Sequence, residues 1–203
     1  MMMTMNLVFK NEINESIQQS TSTIKKILSQ INEIDESINK IIDCYKKGKK
    51  VIIFGNGGSA ADAQHIAAEF IGRFYLDRES YPAIALTTDT SILTSIGNDY
   101  SFEMIFSRQC ESLVSKGDIV IGISTSGKSQ NVEKGLIEAK KKGAITIGLL
   151  GNNGGTIKKI TDIPIIVDSN ETPRIQEAHR VIYHIICEIV EKKLSNSKSG
   201  KEI

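Results

Sequence analysis

Apolar residues stand at Ile24, Ile27, Ile31, Ile34, Ile38, Ile41 and Tyr45, in alternating steps of three and four. That spacing keeps one face of a helix apolar and predicts a seam that must be covered, either by another helix in a coiled coil or by the protein's own core. Ile-rich seams of this kind favour assemblies of more than two strands. A shorter helix is expected before it, over about residues 6–19, with Ser20 and Ser22 in the break. From Lys50 onward the pattern changes to short apolar runs. Residues 51–54, 83–86, 119–123, 145–149 and 163–167 read as buried strands. Helical patterns separate them, over residues 59–71, 90–96, 102–114, 129–142 and 173–194. Continuous apolar strands alternating with helices predict an α/β fold, a doubly wound parallel sheet covered on both faces, with an amino-terminal helical extension. The expected division is residues 1–48 for the extension, 49–194 for the α/β domain and 195–203 for a polar tail. In such sheets ligands bind beyond the carboxyl ends of the strands, so the loops there should hold the chemistry.

Composition narrows the function. The 203 residues are 40% hydrophobic and 24% charged, which is ordinary globular usage. Lys and Arg number 25 against 24 Asp and Glu, a net charge of +1, so no electrostatic footprint for nucleic acid is expected. Cys44, Cys110 and Cys187 lie far apart and form no C-x-x-C pair, which argues against a disulfide framework or a thiolate metal site. Residues 1–10 lack the signature of an export signal, and no run of 18 apolar residues occurs. A cytoplasmic protein, neither exported by that route nor membrane-spanning, is the expectation.

Two loops have the texture of anion sites. After the first strand comes Gly55-Asn56-Gly57-Gly58-Ser59-Ala60 and then a helix, which brings backbone N–H groups and a helix amino terminus together. The string fits the dinucleotide pattern G-x-G-x-x-A, but the acidic residue that pattern wants about 20 residues on is missing; Asp89 lies 89 − 55 = 34 residues on. After the third strand, Gly122 to Ser129 satisfies the nucleoside-triphosphate string G-x-x-x-x-G-K-[ST], with Asp168 placed to act as a magnesium-binding partner. Here Gly122 falls inside an apolar run, which leaves too short a loop to wrap a triphosphate. What remains is four hydroxyls, on Ser124, Thr125, Ser126 and Ser129, at the start of a helix. That set suits the three oxygens of one phosphate monoester; a plain serine-rich turn capped by Ser129 is the structural alternative.

His65 and Glu69 are one helical turn apart, on the helix that follows the first glycine loop, and can share a metal or a substrate. The last helix carries Gln176, His179 and His184, so all three histidines of the chain lie on these two helices. Periodicity does not choose between His179 and His184. Apolar neighbours Val181, Ile182, Ile185 and Ile186 make burial of His184 the expectation.

Taken in order, Gly55 to His65, Ala67-Ala68-Glu69, Ile96-Gly97-Asn98-Asp99, Gly122 to Gly127, and Arg174-Ile175-Gln176-Glu177 followed by His184 resemble the motifs of sugar isomerase (SIS) domains, and within them the phosphoheptose isomerases. The likeness runs from about residue 6 to residue 192. It implies a flavodoxin-like parallel sheet and a homotetramer built around the amino-terminal helices. It also implies one zinc ion per subunit on His65, Glu69, Gln176 and His184. By the same resemblance Asn56, Gly57, Gly58, Ser59, Glu69, Asn98, Asp99, Ser124, Thr125, Ser126, Ser129 and Gln176 surround a sugar phosphate. The implied reaction converts sedoheptulose 7-phosphate to D-glycero-D-manno-heptose 7-phosphate, toward the heptoses of bacterial lipopolysaccharide or capsule. Two departures stand out: Pro173 replaces an acidic residue found in some members, and Lys128 falls at a variable position.

Isomerising a ketose to an aldose moves a proton between C1 and C2 through an enediol, which needs a base, an acid and positive charge near the developing oxyanion. Glu69 is the expected base and His184 the expected acid. A rival reading is a non-catalytic SIS protein that binds a replication initiator; by resemblance that relative lacks the Glu and the last His, both of which are present here. Another sugar-phosphate or amino-sugar isomerase of the same fold is the second rival, and a nucleotide-dependent kinase the third.

Overall fold

The computed structural model describes the backbone of residues 2–199 and the side chains of residues 9–195. Five parallel strands, β1 (Val51–Gly55), β2 (Ala83–Ala85), β3 (Ile119–Ser124), β4 (Ile145–Gly151) and β5 (Ile163–Val167), form one sheet in the order β2-β1-β3-β4-β5. Pairing is in continuous parallel register, with Ile53 opposite Ile121 and Ile121 opposite Ile147. Alternate residues of each strand serve opposite faces. Val51 and Ile53 join the core under α2 (Ile31–Lys46), α3 (Gly58–Ile71) and α7 (Thr172–Ser199). Ile52 and Phe54 join a second core under α5 (Ile105–Leu113) and α6 (Gln130–Lys141). The doubly wound reading is therefore correct. The strand at Ile163 carries Pro164, which the edge position tolerates because an outer strand has a free ladder side.

The amino-terminal extension departs from expectation in where its helix breaks. Helix α1 (Met2–Lys26) runs straight through Ser20 and Ser22, and the break comes later, in a 3₁₀ turn at Ile27–Gln30. The Thr21 hydroxyl turns back onto the Ile17 carbonyl at 2.9 Å, so this polar stretch is absorbed within the helix. The break is instead set by tertiary contact. Ile27 enters the core, and the Gln30 side chain accepts the Ile166 amide of the outer strand at 2.8 Å. Of the two covers expected for the heptad seam, the protein's own core is the one observed. Ile27, Ile34, Ile38 and Ile41 are buried in the chain's own core, which α7 completes, while Ile31 stays 57% exposed. At the other end, Ser195 to Ser199 continue α7, and the rest of the expected polar tail, 200–203, lies outside the described residues. No helix is long and apolar enough to cross a membrane among the described residues.

Candidate active site

Strand β1 ends in Gly55, and the chain turns at Gly57 with φ +56°, a left-handed conformation that glycine adopts without a Cβ penalty. Helix α3 then begins at Gly58. A Cβ there would stand 2.3 Å from the side-chain nitrogen of Gln176, so only glycine lets this α7 residue close on the loop. Strand β3 ends in Ser124. Gly122 lies within that strand, against Leu136, which removes the triphosphate-loop reading on geometry. The hydroxyl of Ser124 is 2.9 Å from that of Ser129 and 3.5 Å from that of Ser126. Ser129 occupies the cap position of α6 yet makes no side-chain cap bond, so its hydroxyl serves the serine cluster. Thr125 meets the next loop through its carbonyl, which accepts the Asn152 side-chain amide at 2.9 Å.

The two loops are locked together. Asn56 and Asn131 exchange side-chain amide hydrogen bonds, both at 2.8 Å, across the crevice between the β1 and β3 ends. Asn131, buried in the first turn of α6, was not legible as a site residue in the sequence; its only signal is a polar residue two places past the serine loop. Asn98 and Asp99 bond to each other at 2.9 Å on the exposed carboxyl end of α4 (Thr90–Asp99). That helix contacts α5 and the turn at Phe102–Met104. Ser59 is buried beneath Gly55.

Helices α3 and α7 bring the histidines together. His65 Nε2 lies 2.8 Å from Glu69 Oε1, and the rings of His65 and His184 meet edge to face at 5.1 Å. One ligand atom from each of His65, Glu69 and His184 lies within 4.8 Å of the other two. Burial, and after it the neighbouring His65 ring, hold the His184 pKa below its ordinary value, so it offers a bare nitrogen at neutral pH. Two imidazoles and a carboxylate are a donor set that fits zinc, and the Gln176 amide can supply an oxygen. His179, which periodicity left open, is fully buried, its pKa pushed down to about 4 by desolvation, and it is not part of this group.

What holds the two helices in register was not visible in the sequence. Arg78 donates to the carbonyls of Glu69 (2.8 Å), Phe70 (2.8 Å) and Gly72 (3.1 Å), at and just past the end of α3. Its Nε meets Glu191 of α7 at 3.1 Å, and the Glu191 carboxylate also accepts the amides of Phe74, Tyr75 and Leu76. This buried clamp joins the helix that carries Glu69 to the helix that carries His184.

Comparison with known proteins gives one consistent result. The family model described as "SIS domain" matches residues 15–151. A phosphoheptose isomerase of Clostridium acetobutylicum is 53% identical over 192 residues, spanning 93% of this chain and 98% of that protein. Among solved structures, a phosphoheptose isomerase from Francisella tularensis aligns with TM-score 0.87 at 32% identity, over 90% of this chain and 97% of that one. One from Neisseria gonorrhoeae aligns with TM-score 0.86 at 35% identity, over 91% and 99%.

Proposed function

The chain belongs to the SIS domain family, among its phosphoheptose isomerases, and on that premise we propose how its residues carry out the isomerisation of sedoheptulose 7-phosphate to D-glycero-D-manno-heptose 7-phosphate. The observation that carries the reading is the convergence of His65, Glu69 and His184 within 4.8 Å on helices that open from the same end of the sheet as the serine loop. Ser124, Thr125, Ser126 and Ser129 hold the phosphate with their hydroxyls and the backbone amides of the turn. Asn56, Gly57, Gly58, Ser59, Gln176 and, from the exposed end of α4, Asn98 and Asp99 surround the sugar.

Glu69 removes the proton from the carbon next to the carbonyl and returns it to the neighbouring carbon. One of its oxygens is engaged with His65, which leaves the second to take the proton. His184, neutral at pH 7, relays the hydroxyl proton between the two oxygens. His65, Glu69, Gln176 and His184 would hold one zinc ion, which when bound supplies positive charge to the developing oxyanion. A replication-initiator-binding role is disfavoured because Glu69 and His184 are both present.

The protein works as a homo-oligomer, a tetramer by the family's example. Phe9, Ile13 and Ile17 form an exposed apolar stripe on α1, and Ile24, Leu28, Ile31, Val181, Ile185 and Ile189 line an open groove of about 540 Å³ between the 3₁₀ turn, α2 and α7. It acts in the cytoplasm and feeds the heptoses of lipopolysaccharide or capsule. The test is incubation of purified protein with sedoheptulose 7-phosphate, with other ketose phosphates in parallel. Aldose 7-phosphate formed selectively from the heptulose supports the reading; faster turnover of a shorter ketose phosphate moves the substrate assignment.

A further inference from the structure

Helix α3 carries Asp62 one turn before His65, and helix α7 carries Arg180 one turn before Tyr183. These two pairs meet behind the metal trio. Asp62 and Tyr183 are almost wholly buried, at 2% and 1% exposure. The Tyr183 hydroxyl is 3.2 Å from Asp62 Oδ1 and 3.0 Å from His65 Nδ1, and it accepts Arg180 Nε at 3.1 Å. Arg180 Nη2 also reaches Asp62 Oδ1, at 3.3 Å.

Proton counting gives this cluster a direction. A carboxylate only accepts, so Asp62 takes the single phenolic hydrogen of Tyr183. The hydroxyl then has lone pairs left for its other neighbours. One accepts from Arg180, and with the phenolic hydrogen on Asp62 the other accepts from His65 Nδ1, the tautomer that places the ring hydrogen there. In a neutral ring that leaves Nε2 bare. Nε2 faces Glu69 Oε1 at 2.8 Å, so two electron-pair donors converge on a point where a cation belongs.

We propose that Tyr183 is a positioning residue for the metal centre: its hydroxyl, held by Asp62 and Arg180, fixes His65 with Nδ1 protonated and aims Nε2 at the metal beside Glu69. Outer partners of this kind set the tautomer and orientation of a ligating imidazole, and losing one costs metal affinity rather than the fold. The inference rests on the reading of His65, Glu69 and His184 as ligands.

Tyr183→Phe isolates the hydroxyl, because the ring that packs edge-on against His65 (5.4 Å) and His184 (4.8 Å) remains. Zinc titration against a competing chelator should show about ten- to a hundredfold weaker binding in Tyr183→Phe than in wild type. Activity lost at low zinc should return when zinc is added in excess. Nitrogen-15 spectra of the zinc-loaded wild-type protein should show His65 bound through Nε2, with a slowly exchanging Nδ1 hydrogen close to the Tyr183 ring. Unchanged zinc affinity in a folded Tyr183→Phe overturns the positioning role alone. If that variant does not fold, the wild-type spectra decide, and His65 bound through Nδ1 overturns the proposal. A wild-type protein that takes up no zinc defeats the metal reading itself, and the positioning role with it.

Discussion

Replacing Glu191 by Gln tests whether the buried clamp behind the site holds α3 and α7 together. The Glu191 carboxylate is 1% exposed, and each oxygen is doubly used. Oε1 accepts the Phe74 amide at 2.8 Å and Arg78 Nε at 3.1 Å, while Oε2 accepts the amides of Tyr75 at 2.7 Å and Leu76 at 2.9 Å. A glutamine has one acceptor oxygen, and its NH₂ would face the other two donors. Two buried donors lose their partner, at about 1–3 kcal/mol each, and the Arg78 guanidinium loses its counter-charge, so a total of about 3–5 kcal/mol is expected. The pH dependence carries a sign. Burial pushes the Glu191 pKa up, but the three amides and Arg78 together outweigh it and hold the group below its ordinary 4.5. A depressed folded pKa means the stabilisation is complete above 4.5 and fades as pH falls through the folded value. Gln does not titrate there, so the wild-type advantage should be full at neutral pH and narrow in acid. Urea unfolding followed by circular dichroism, at one protein concentration and a series of pH values, measures it. A gap below about 0.5 kcal/mol at neutral pH, or one that widens in acid, would refute the reasoning.

Other consequences are simpler to read. Ser124→Ala and Ser126→Ala should each raise KM for the sugar phosphate by about ten- to a hundredfold, since each removes a hydrogen bond to a charged acceptor worth about 1.5–3 kcal/mol; unchanged KM in steady-state kinetics would move the phosphate elsewhere. ATP with magnesium should give no heat in calorimetry, and binding that depends on Lys128 would restore the triphosphate-loop reading. Ile17→Glu with Leu28→Glu places charges on apolar residues that are 57% and 70% exposed in the single chain, so the fold should survive while the assembly falls apart. Light scattering with a parallel activity assay checks this, and an intact oligomer would place the interface on another surface.

The sheet was legible because its three central strands are buried on both faces and so read as unbroken apolar runs, such as Val51-Ile52-Ile53-Phe54 and Ile119-Val120-Ile121. The loops were legible because tight turns and phosphate sites demand glycine and hydroxyls in short order. His65 and Glu69 were legible from one helical turn of spacing. Residues whose role depends on the meeting of distant elements carried no such mark. Asn131 matters because Asn56, 75 residues away in sequence, completes its amide pair. Tyr183 reads as one more apolar residue of α7, and only its 3.0 Å contact with His65, 118 residues away, reveals the hydroxyl's use. The seam at Ile34, Ile38 and Ile41 was seen correctly as a buried face, but periodicity does not say whose surface covers it; here the chain's own core does.

The central claim is that Glu69 moves the proton in an isomerase. Its most direct measurement follows sedoheptulose 7-phosphate by proton NMR with wild-type protein and with Glu69→Gln, each checked for an intact fold by circular dichroism. Wild type should form the aldose 7-phosphate, and the variant should be slower by at least about a hundredfold, the lower range for losing a general base. Equal turnover in the folded variant would contradict the assignment of the base, and no product from wild type would contradict the function.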